Sequence, residues 1–287
     1  MPLPSAAARA YEDRVLMWAR DAAGAHLVAR DVPYGADAMQ RLNVFAAPNT
    51  RRDAPVVVFF HGGGWTNGYK EYVSFMAPHV IEAGCVLVAP GYRLAPGAPL
   101  PAAVDDCASV LAAVPGLLAE VMGRRVGDTR RIVLAGHSAG AHLAAMLALR
   151  PEVLVAAGAN PALIAGCFPL SGIFDLHHPD PAAGSLEARV YDMVLGPETD
   201  DARMSPLCWA HGSRIPMVLT WGEHDSLRVA HSNRRLASVL TAQGSPCRAF
   251  IEPGADHFDT HTRLDDPGHV WYRRLAMLAN DGVLPDA

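Results

Sequence analysis

The sequence has little that would tie it to nucleic acid or to a metal. No run of lysine and arginine occurs, and the formal net charge of the 287 residues is −5, so we expect no nucleic-acid partner. The five cysteines are widely spaced without a CxxC pair, which indicates neither a disulfide framework nor a zinc knuckle. His177 and His178 are adjacent, so their side chains project apart, and no further ligand stands at a metal-binding spacing. We therefore predict no metal and no cofactor.

The sequence also has no segment that predicts export or membrane insertion. Charged side chains such as Glu12, Asp13, Arg14 and Arg20 interrupt the apolar residues near its start, unlike a secretory signal. No window approaches about 18 uncharged apolar residues, so we expect no transmembrane helix. These observations predict a cytoplasmic protein and leave homo-oligomerisation open.

Composition and hydrophobic patterning predict one α/β domain over residues 1–287. The chain is 51% hydrophobic and 18% charged, as in an ordinary globular protein. Short apolar runs alternate with helical patterns, which predicts a doubly wound, mostly parallel sheet with helices on both faces. The predicted strands are residues 27–32, 41–46, 55–60, 85–89, 132–135, 163–168, 216–220 and 248–251. The predicted helices are residues 5–20, 71–83, 101–122, 138–149 and 269–279.

Residues 175–214 interrupt this alternation. The stretch mixes Pro, His, Gly and Asp with aromatic residues and lies between two predicted strands. An insertion there would cover the carboxyl edge of the sheet, where open α/β folds bind their ligands. We predict that it forms a small cap, with the N-terminal helix as a second candidate contributor.

Ser138 is the first candidate for chemistry. It lies in Gly-His-Ser-Ala-Gly at residues 136–140, directly after the apolar run 131–135 and directly before the helical run 141–149. A serine at such a tight strand-to-helix turn is exposed and strained, and the small neighbours allow the turn. The helix that follows also directs its positive end at the serine. This pattern predicts a nucleophile.

A glycine-rich stretch stands where an oxyanion-binding loop would be expected. Residues 61–65, His-Gly-Gly-Gly-Trp, follow the strand predicted at 55–60. Consecutive glycines allow the backbone to present free N–H groups to a developing oxyanion. We expect the donors to be the N–H groups of Gly63 and Gly64, with Gly62 as a substitute, together with that of Ala139.

An acid and a histidine follow in the chain order that the chemistry requires. Asp225 lies in the loop after the strand predicted at 216–220 and is the better candidate, with Glu223 as the alternative. His257 directly follows the last predicted strand and a turn, which makes it the best candidate for the base. Two nearby histidines, His261 and His269, remain alternatives.

These residues resemble those of the α/β-hydrolase superfamily, and most closely its hormone-sensitive-lipase-like esterases and kynurenine formamidases (arylformamidases). The resemblance runs from about residue 56 to residue 258. Its motifs are residues 61–65, 91–96, 136–143, 171–176 and 256–258. Formamidases of this type usually carry an aromatic residue where this chain has Gly64, which is the esterase-like choice.

The resemblance implies a serine hydrolase that cleaves a small ester or activated amide, such as a short-chain or aryl ester or an aryl formamide, through an acyl-enzyme. A kynurenine formamidase proper is the alternative. A non-catalytic binding protein of the same fold would usually lack a triad member, whereas here all three are present. The roles implied are a triad of Ser138, Asp225 and His257, an oxyanion hole of Gly63, Gly64 and Ala139, and substrate contacts by Trp65 and Phe258.

Overall fold

The strongest apolar run of the sequence forms the third strand of an eight-stranded sheet in the computed structural model. The structure describes residues 3, 5–22, 26–123, 131–196 and 200–286. All five residues of this strand, Val56–Phe60, are buried. Val56, Val58 and Phe60 belong to one core cluster, whereas Val57 and Phe59 belong to a second. Because neighbouring side chains of a strand point to opposite faces, the sheet is covered on both sides.

The sheet is mostly parallel, which confirms the predicted α/β architecture. The strand order is β1-β2-β4-β3-β5-β6-β7-β8. β1 pairs with β2 and β2 with β4 in antiparallel fashion, and the remaining pairs are parallel. The strands are β1 Leu27–Pro33, β2 Arg41–Phe45, β3 Val56–Phe60, β4 Val86–Pro90, β5 Ile132–His137, β6 Ile164–Leu170, β7 Met217–Gly222 and β8 Cys247–Glu252.

Helices follow most of the strands and pack on the two faces. They are α1 Ala6–Ala22, α2 Ala77–Glu82, α3 Ala102–Val121, α4 Ala139–Leu149, α5 Pro151–Ala156, α6 Leu186–Arg189, α7 Leu227–Ala242, α8 Asp259–Thr262 and α9 Val270–Ala276. The helix predicted over 71–83 begins as a 3₁₀ helix, Lys70–Met76, and only then becomes α2.

Sequence patterning did not predict α7. The helix has 16 residues and only a narrow apolar stripe, including Val229, Leu236 and Leu240, on an otherwise polar and basic surface. Its clearest start signal is Ser226, whose side chain accepts a hydrogen bond from the N–H of Val229 at the first turn. A stripe this narrow is easily missed because packing against the sheet supplies most of the stability of such a helix.

Helix α3 is long and apolar enough to cross a membrane by length and composition, with a mean hydropathy of 1.5 over its best window. Half of that window is nevertheless buried inside the protein. Asp106, in the second turn of the helix, pairs with Arg93 at 2.7 Å. The core helix of a globular domain has these same properties, and the surrounding packing identifies α3 as one.

We predict that Gly140→Ala strongly destabilises the fold, because α4 crosses the end of β3 at this glycine. A Cβ there would lie 2.0 Å from the carbonyl oxygen of Phe60 and 2.5 Å from that of His61, both rigid backbone. We expect a loss of about 2 kcal/mol or more in the free energy of unfolding, measured by urea denaturation.

Gly116→Ala provides the matched control for this prediction. Gly116 lies in α3, where a Cβ would meet nothing within 4 Å. There the same substitution should stabilise the protein by about 0.5–1 kcal/mol, because alanine has the higher helix propensity. Equal effects of the two substitutions would contradict the close approach of α4 to β3.

Candidate active site

Ser138 occupies a sharp turn between β5 and α4. Its backbone has φ 54° and ψ −115°, in the left-handed region that a non-glycine residue rarely adopts. The N–H of Ser138 donates to the carbonyl oxygen of Leu170 at 2.9 Å, which holds the turn against β6. A Cβ on Gly136 would lie 2.5 Å from the backbone of Gly140, so both flanking glycines are needed for the turn to close.

The structure brings Ser138, His257 and Asp225 into one chain of hydrogen bonds. His257 Nε2 lies 2.9 Å from Ser138 Oγ, and His257 Nδ1 lies 2.7 Å from Asp225 Oδ1. His257 stands in the loop after β8, and Asp225 in the loop after β7. In the ground state, Nδ1–H donates to the carboxylate, which leaves Nε2 free to accept the serine proton.

The alternatives considered for the acid and the base lie outside this chain. Glu223 instead accepts a hydrogen bond from the N–H of Gly254 at 2.8 Å. His261 is buried against the Tyr11 hydroxyl at 2.8 Å, and burial lowers its pKa to about 3. His269 caps α9 through its Nδ1, which accepts from a backbone N–H.

The Asp225 carboxylate is fully buried and accepts three hydrogen bonds. Its side chain is 0% exposed. Besides His257, it accepts from Ser171 Oγ at 2.5 Å and from the N–H of Gly222 at 3.1 Å. Burial by itself raises the pKa of a carboxyl, but the hydrogen bond and charge of His257, with Ser171 and Gly222, hold the pKa of Asp225 below its ordinary value. The group is therefore an anion at neutral pH.

Ser171, which local sequence marks only as part of the motif 171–176, holds both Asp225 and His257 in place. It follows β6 at φ 50°, another strained backbone position. Its hydroxyl also lies 2.8 Å from Thr260 Oγ1, and Thr260 Oγ1 lies 3.0 Å from the carbonyl oxygen of His257. His137 Nε2 donates to that same carbonyl at 2.8 Å. Burial lowers the pKa of His137 well below its ordinary value. The ring is therefore neutral, with its one proton on Nε2.

The glycine loop passes directly over the serine. A Cβ on Gly62 would lie 3.5 Å from Ser138 Cβ. Gly63 and Gly64 have φ 126° and 61°, and a Cβ on Gly64 would meet nothing within 4 Å, so the space beside this exposed residue is open. In the part of the chain that the structure describes, neither of their N–H groups donates to a protein acceptor. The N–H of Ala139, the first residue of α4, has no partner within the helix either.

Trp65 ties the glycine loop to the helix that follows the serine. Its indole Nε1 donates to His142 Nδ1 at 3.2 Å, and His142 Nε2 donates to the carbonyl oxygen of Met204 at 2.7 Å. Burial lowers the pKa of His142 to about 4, so the ring is neutral and holds both contacts. Trp65 is only 3% exposed. Phe258 packs on Tyr11 with ring centroids 4.9 Å apart.

The stretch from 175 to 214 reaches the loops of this edge at several points; its residues 197–199 lie outside the described residues. It contains α6, a π-helical turn at Val190–Val194 and a 3₁₀ helix at Pro206–Trp209. Val194 O accepts from the N–H of Leu100 at 2.8 Å. Among the described residues no group of three or more His, Cys, Asp or Glu could hold a metal ion. His177 instead lies 2.9 Å from Asp201.

Two cavities lie elsewhere in the molecule. One of about 460 Å³ adjoins β1 and the end of α3, and the other, of about 360 Å³, lies between α1 and the first two strands. Neither is lined by Ser138 or its partners. Ser138 itself is partly exposed to solvent.

Comparisons with known proteins agree on the fold. A model of a family with the α/β-hydrolase fold matches residues 57–260. Kynurenine formamidase of Salmo salar is 34% identical over 239 residues, which cover 82% of this chain and 76% of that protein. The match to kynurenine formamidase of Danio rerio, also 34% identical, spans 51% of this chain and less than half of that protein, 46%.

Esterases show a similar degree of likeness. Carboxylesterase NlhH of Mycobacterium tuberculosis is 31% identical over 231 residues, 75% of this chain and 70% of that protein. A crystal structure of esterase B from Lactobacillus rhamnosis superimposes with a TM-score of 0.71 at 21% identity, covering 93% of this chain and 94% of that one. At this identity the superposition shows the shared fold alone.

We predict that Ser171→Ala lowers kcat by about tenfold or more, because the buried Asp225 carboxylate loses a hydrogen bond. KM should change little, because Ser171 lies behind Asp225. With one hydrogen-bond donor fewer, the Asp225 carboxylate attracts the Nδ1 proton of His257 more strongly, which favours the protonated imidazole. The acid limb of the kcat/KM–pH profile should therefore move to higher pH.

Ser232→Ala is the matched control for Ser171→Ala. Ser232 is equally buried and supports the same turn through Gly172 and Phe174, but it makes no contact with Asp225. Its pH profile should be that of the unmodified protein. An unmoved acid limb in Ser171→Ala, or the same shift in both variants, would show that Ser171 only stabilises the fold.

Proposed function

This chain belongs to the α/β-hydrolase fold family, and on that premise we propose that it is a serine hydrolase with Ser138 as nucleophile, His257 as base and Asp225 as the acid. One observation supports the assignment above all others. It is the unbroken chain of hydrogen bonds from Ser138 Oγ through His257 to the buried Asp225 carboxylate. Such a chain is the arrangement that activates a serine hydroxyl.

The reaction begins when Ser138 Oγ attacks the substrate carbonyl carbon. His257 Nε2 takes the hydroxyl proton as the new C–O bond forms, and Asp225 stabilises the resulting imidazolium through Nδ1–H. The carbonyl π electrons move to oxygen, which gives a tetrahedral oxyanion. Collapse of this intermediate breaks the bond to the leaving group, which departs with the proton from His257. Ser138 is then acylated.

Water reverses the sequence to release the acid. His257 removes a proton from water, the hydroxide attacks the acyl carbon, and a second tetrahedral oxyanion forms. Its collapse returns the proton to Ser138 Oγ. The same base thus serves both halves of the reaction.

The oxyanion in both steps is bound by backbone N–H groups of Gly63, Gly64 and Ala139. The first two have no protein acceptor among the described residues, and the space beside Gly64 is open. The amino end of α4 adds a favourable dipole at the same point. Each such donor contributes about 3–4 kcal/mol of transition-state stabilisation in comparable sites.

The substrate is a small carboxylic ester or activated amide, such as a short-chain or aryl ester or an aryl formamide. Relatives named as a carboxylesterase and as kynurenine formamidases support both classes. Gly64 supports an ester, because the site is open where formamidases carry an aromatic residue. The second candidate, kynurenine formamidase, is favoured by the identity over 82% of the chain.

The remaining predictions concern organisation. Residues 175–214 act as a small cap on a single domain, a proposal supported by the contacts of Arg189 with Thr66 and of Met204 with His142. Trp65 and Phe258 stay proposed substrate contacts. A cytoplasmic location also stays a prediction, and homo-oligomerisation stays open.

We predict that Ser138→Ala abolishes hydrolysis of 4-nitrophenyl acetate, with a fall in kcat of about 10⁴-fold or more, because no acyl-enzyme forms. A fluorophosphonate probe should label the unmodified protein and leave the variant unlabelled. A variant that keeps its rate would contradict the proposal.

The acid is tested separately. Asp225→Asn should lower kcat by about 10⁴-fold, because an amide favours the wrong histidine tautomer. Glu223→Gln, a matched change of charge two residues away, should leave kcat within about threefold, as expected for a surface substitution. The reverse ranking would assign the acid to Glu223.

A further inference from the structure

Arg189 lies beside the glycine loop, at the end of α6. Its Nη2 donates a hydrogen bond to Thr66 Oγ1 at 3.0 Å. Thr66 is 4% exposed, and its N–H donates to Gly63 O at 3.2 Å. Gly62 precedes Gly63 in the chain, and a Cβ added to Gly62 would lie 3.5 Å from Ser138 Cβ. Only a short stretch of hydrogen-bonded backbone therefore separates this guanidinium from the nucleophile.

The charge of Arg189 is unbalanced. Among the residues that the structure describes, no carboxylate pairs with its guanidinium, although the side chain is partly buried. Glu187 is close in sequence but pairs with Arg228 at 3.6 Å. Arg228 also lies on this side of the molecule, since its charge contributes to the lowered pKa of His142. Within the described part of the chain, the guanidinium of Arg189 thus keeps an unpaired positive charge beside the glycine loop.

Most of the other partly buried arginines among the described residues have carboxylate partners, whereas Arg41 donates to three backbone carbonyls and Arg274 lies over the Phe250 ring. Arg93 pairs with Asp106 at 2.7 Å, and Arg263 pairs with Glu252 at 3.2 Å. A cation that is partly removed from water gains most when an anion takes the place of the lost solvent. Among the described residues, Arg189 is thus the partly buried arginine whose guanidinium has a single hydroxyl oxygen as its hydrogen-bond partner.

We propose that Arg189 forms an anion subsite and that the substrate carries a carboxylate at a distance from the bond that is cleaved. The inference rests on the proposed function and names its substrate class. The planar guanidinium presents several donors in a fixed geometry, and Thr66 uses one of them, so the others remain for carboxylate oxygens. Binding there orients the scissile carbonyl toward Ser138 and the glycine loop.

The test compares two acetyl esters that differ in charge and hardly in shape. They are 4-acetoxybenzoate and 4-acetoxybenzamide, together with their 3-isomers. We expect the native protein to prefer the carboxylate in kcat/KM, mainly through KM. In Arg189→Gln that preference should fall by about tenfold or more, the usual effect of losing a hydrogen bond to a charged group. Arg189→Lys should retain part of the preference, since lysine keeps the positive charge but lacks the forked donors of the guanidinium.

Arg203→Gln is the matched control, because Arg203 is an exposed arginine of the same segment. It makes the same change in net charge and should leave the preference intact. Equal losses of rate on both esters in Arg189→Gln would show that Arg189 only ties the segment to Thr66, and absence of a preference in the native protein would also overturn the inference.

A failure of the proposed function would give a different result. If the native protein hydrolyses neither ester, calorimetric binding of 4-hydroxybenzoate against 4-hydroxybenzamide still decides the subsite. The inference then requires tighter binding of the carboxylate that is lost in Arg189→Gln, and equal binding of the two ligands contradicts it.

Discussion

The parallel register of the central strands is the constraint on which the site depends. Strands that run in the same direction end at one edge of the sheet, so their following loops begin side by side. The paired residues at this edge are Phe60 with Gly136, His137 with Leu170, Leu170 with Thr220, and Gly222 with Glu252. The glycine loop, the serine turn, Ser171, the acid and the histidine all emerge there. A slip of one strand would separate them.

At this edge hydrogen-bond donors from several segments stabilise the buried charge of Asp225. Desolvation of Asp225 is unfavourable on its own, and its hydrogen bonds come from the loop after β6, the last residue of β7 and the loop after β8. The His257 carbonyl is held in turn by His137 and Thr260. Because each group is fixed by more than one neighbour, the polar atoms are oriented before any substrate arrives.

Much of this arrangement could be predicted from local sequence. Ser138 is marked by glycines at a strand-to-helix junction, and the glycine loop by its place after the most apolar strand. The sequence ranks Asp225 above Glu223, and the structure shows that Asp225 contacts His257 whereas Glu223 accepts from Gly254. The end of a strand predicts roughly where a catalytic residue lies, whereas its hydrogen bonds show which of several neighbouring residues it is.

Other features depend on contacts between distant segments. Ser171 and Thr260 meet Asp225 and His257 only because β6 lies beside β7. The contact of Arg189 with Thr66 joins residues 123 positions apart, and no local pattern predicts it. Helix α7 was missed for a related reason, since its narrow apolar stripe becomes decisive only against the sheet.

The central claim, that Ser138 becomes acylated during turnover, is tested most directly by trapping the intermediate. The protein is mixed with 4-nitrophenyl dimethylcarbamate, whose carbamoyl adduct hydrolyses slowly. It is then quenched in acid, digested and mapped by mass spectrometry. The account predicts release of one equivalent of nitrophenolate and a carbamoyl group on Ser138 alone. Nitrophenolate release with no adduct on Ser138, or with the adduct on another residue, would contradict it.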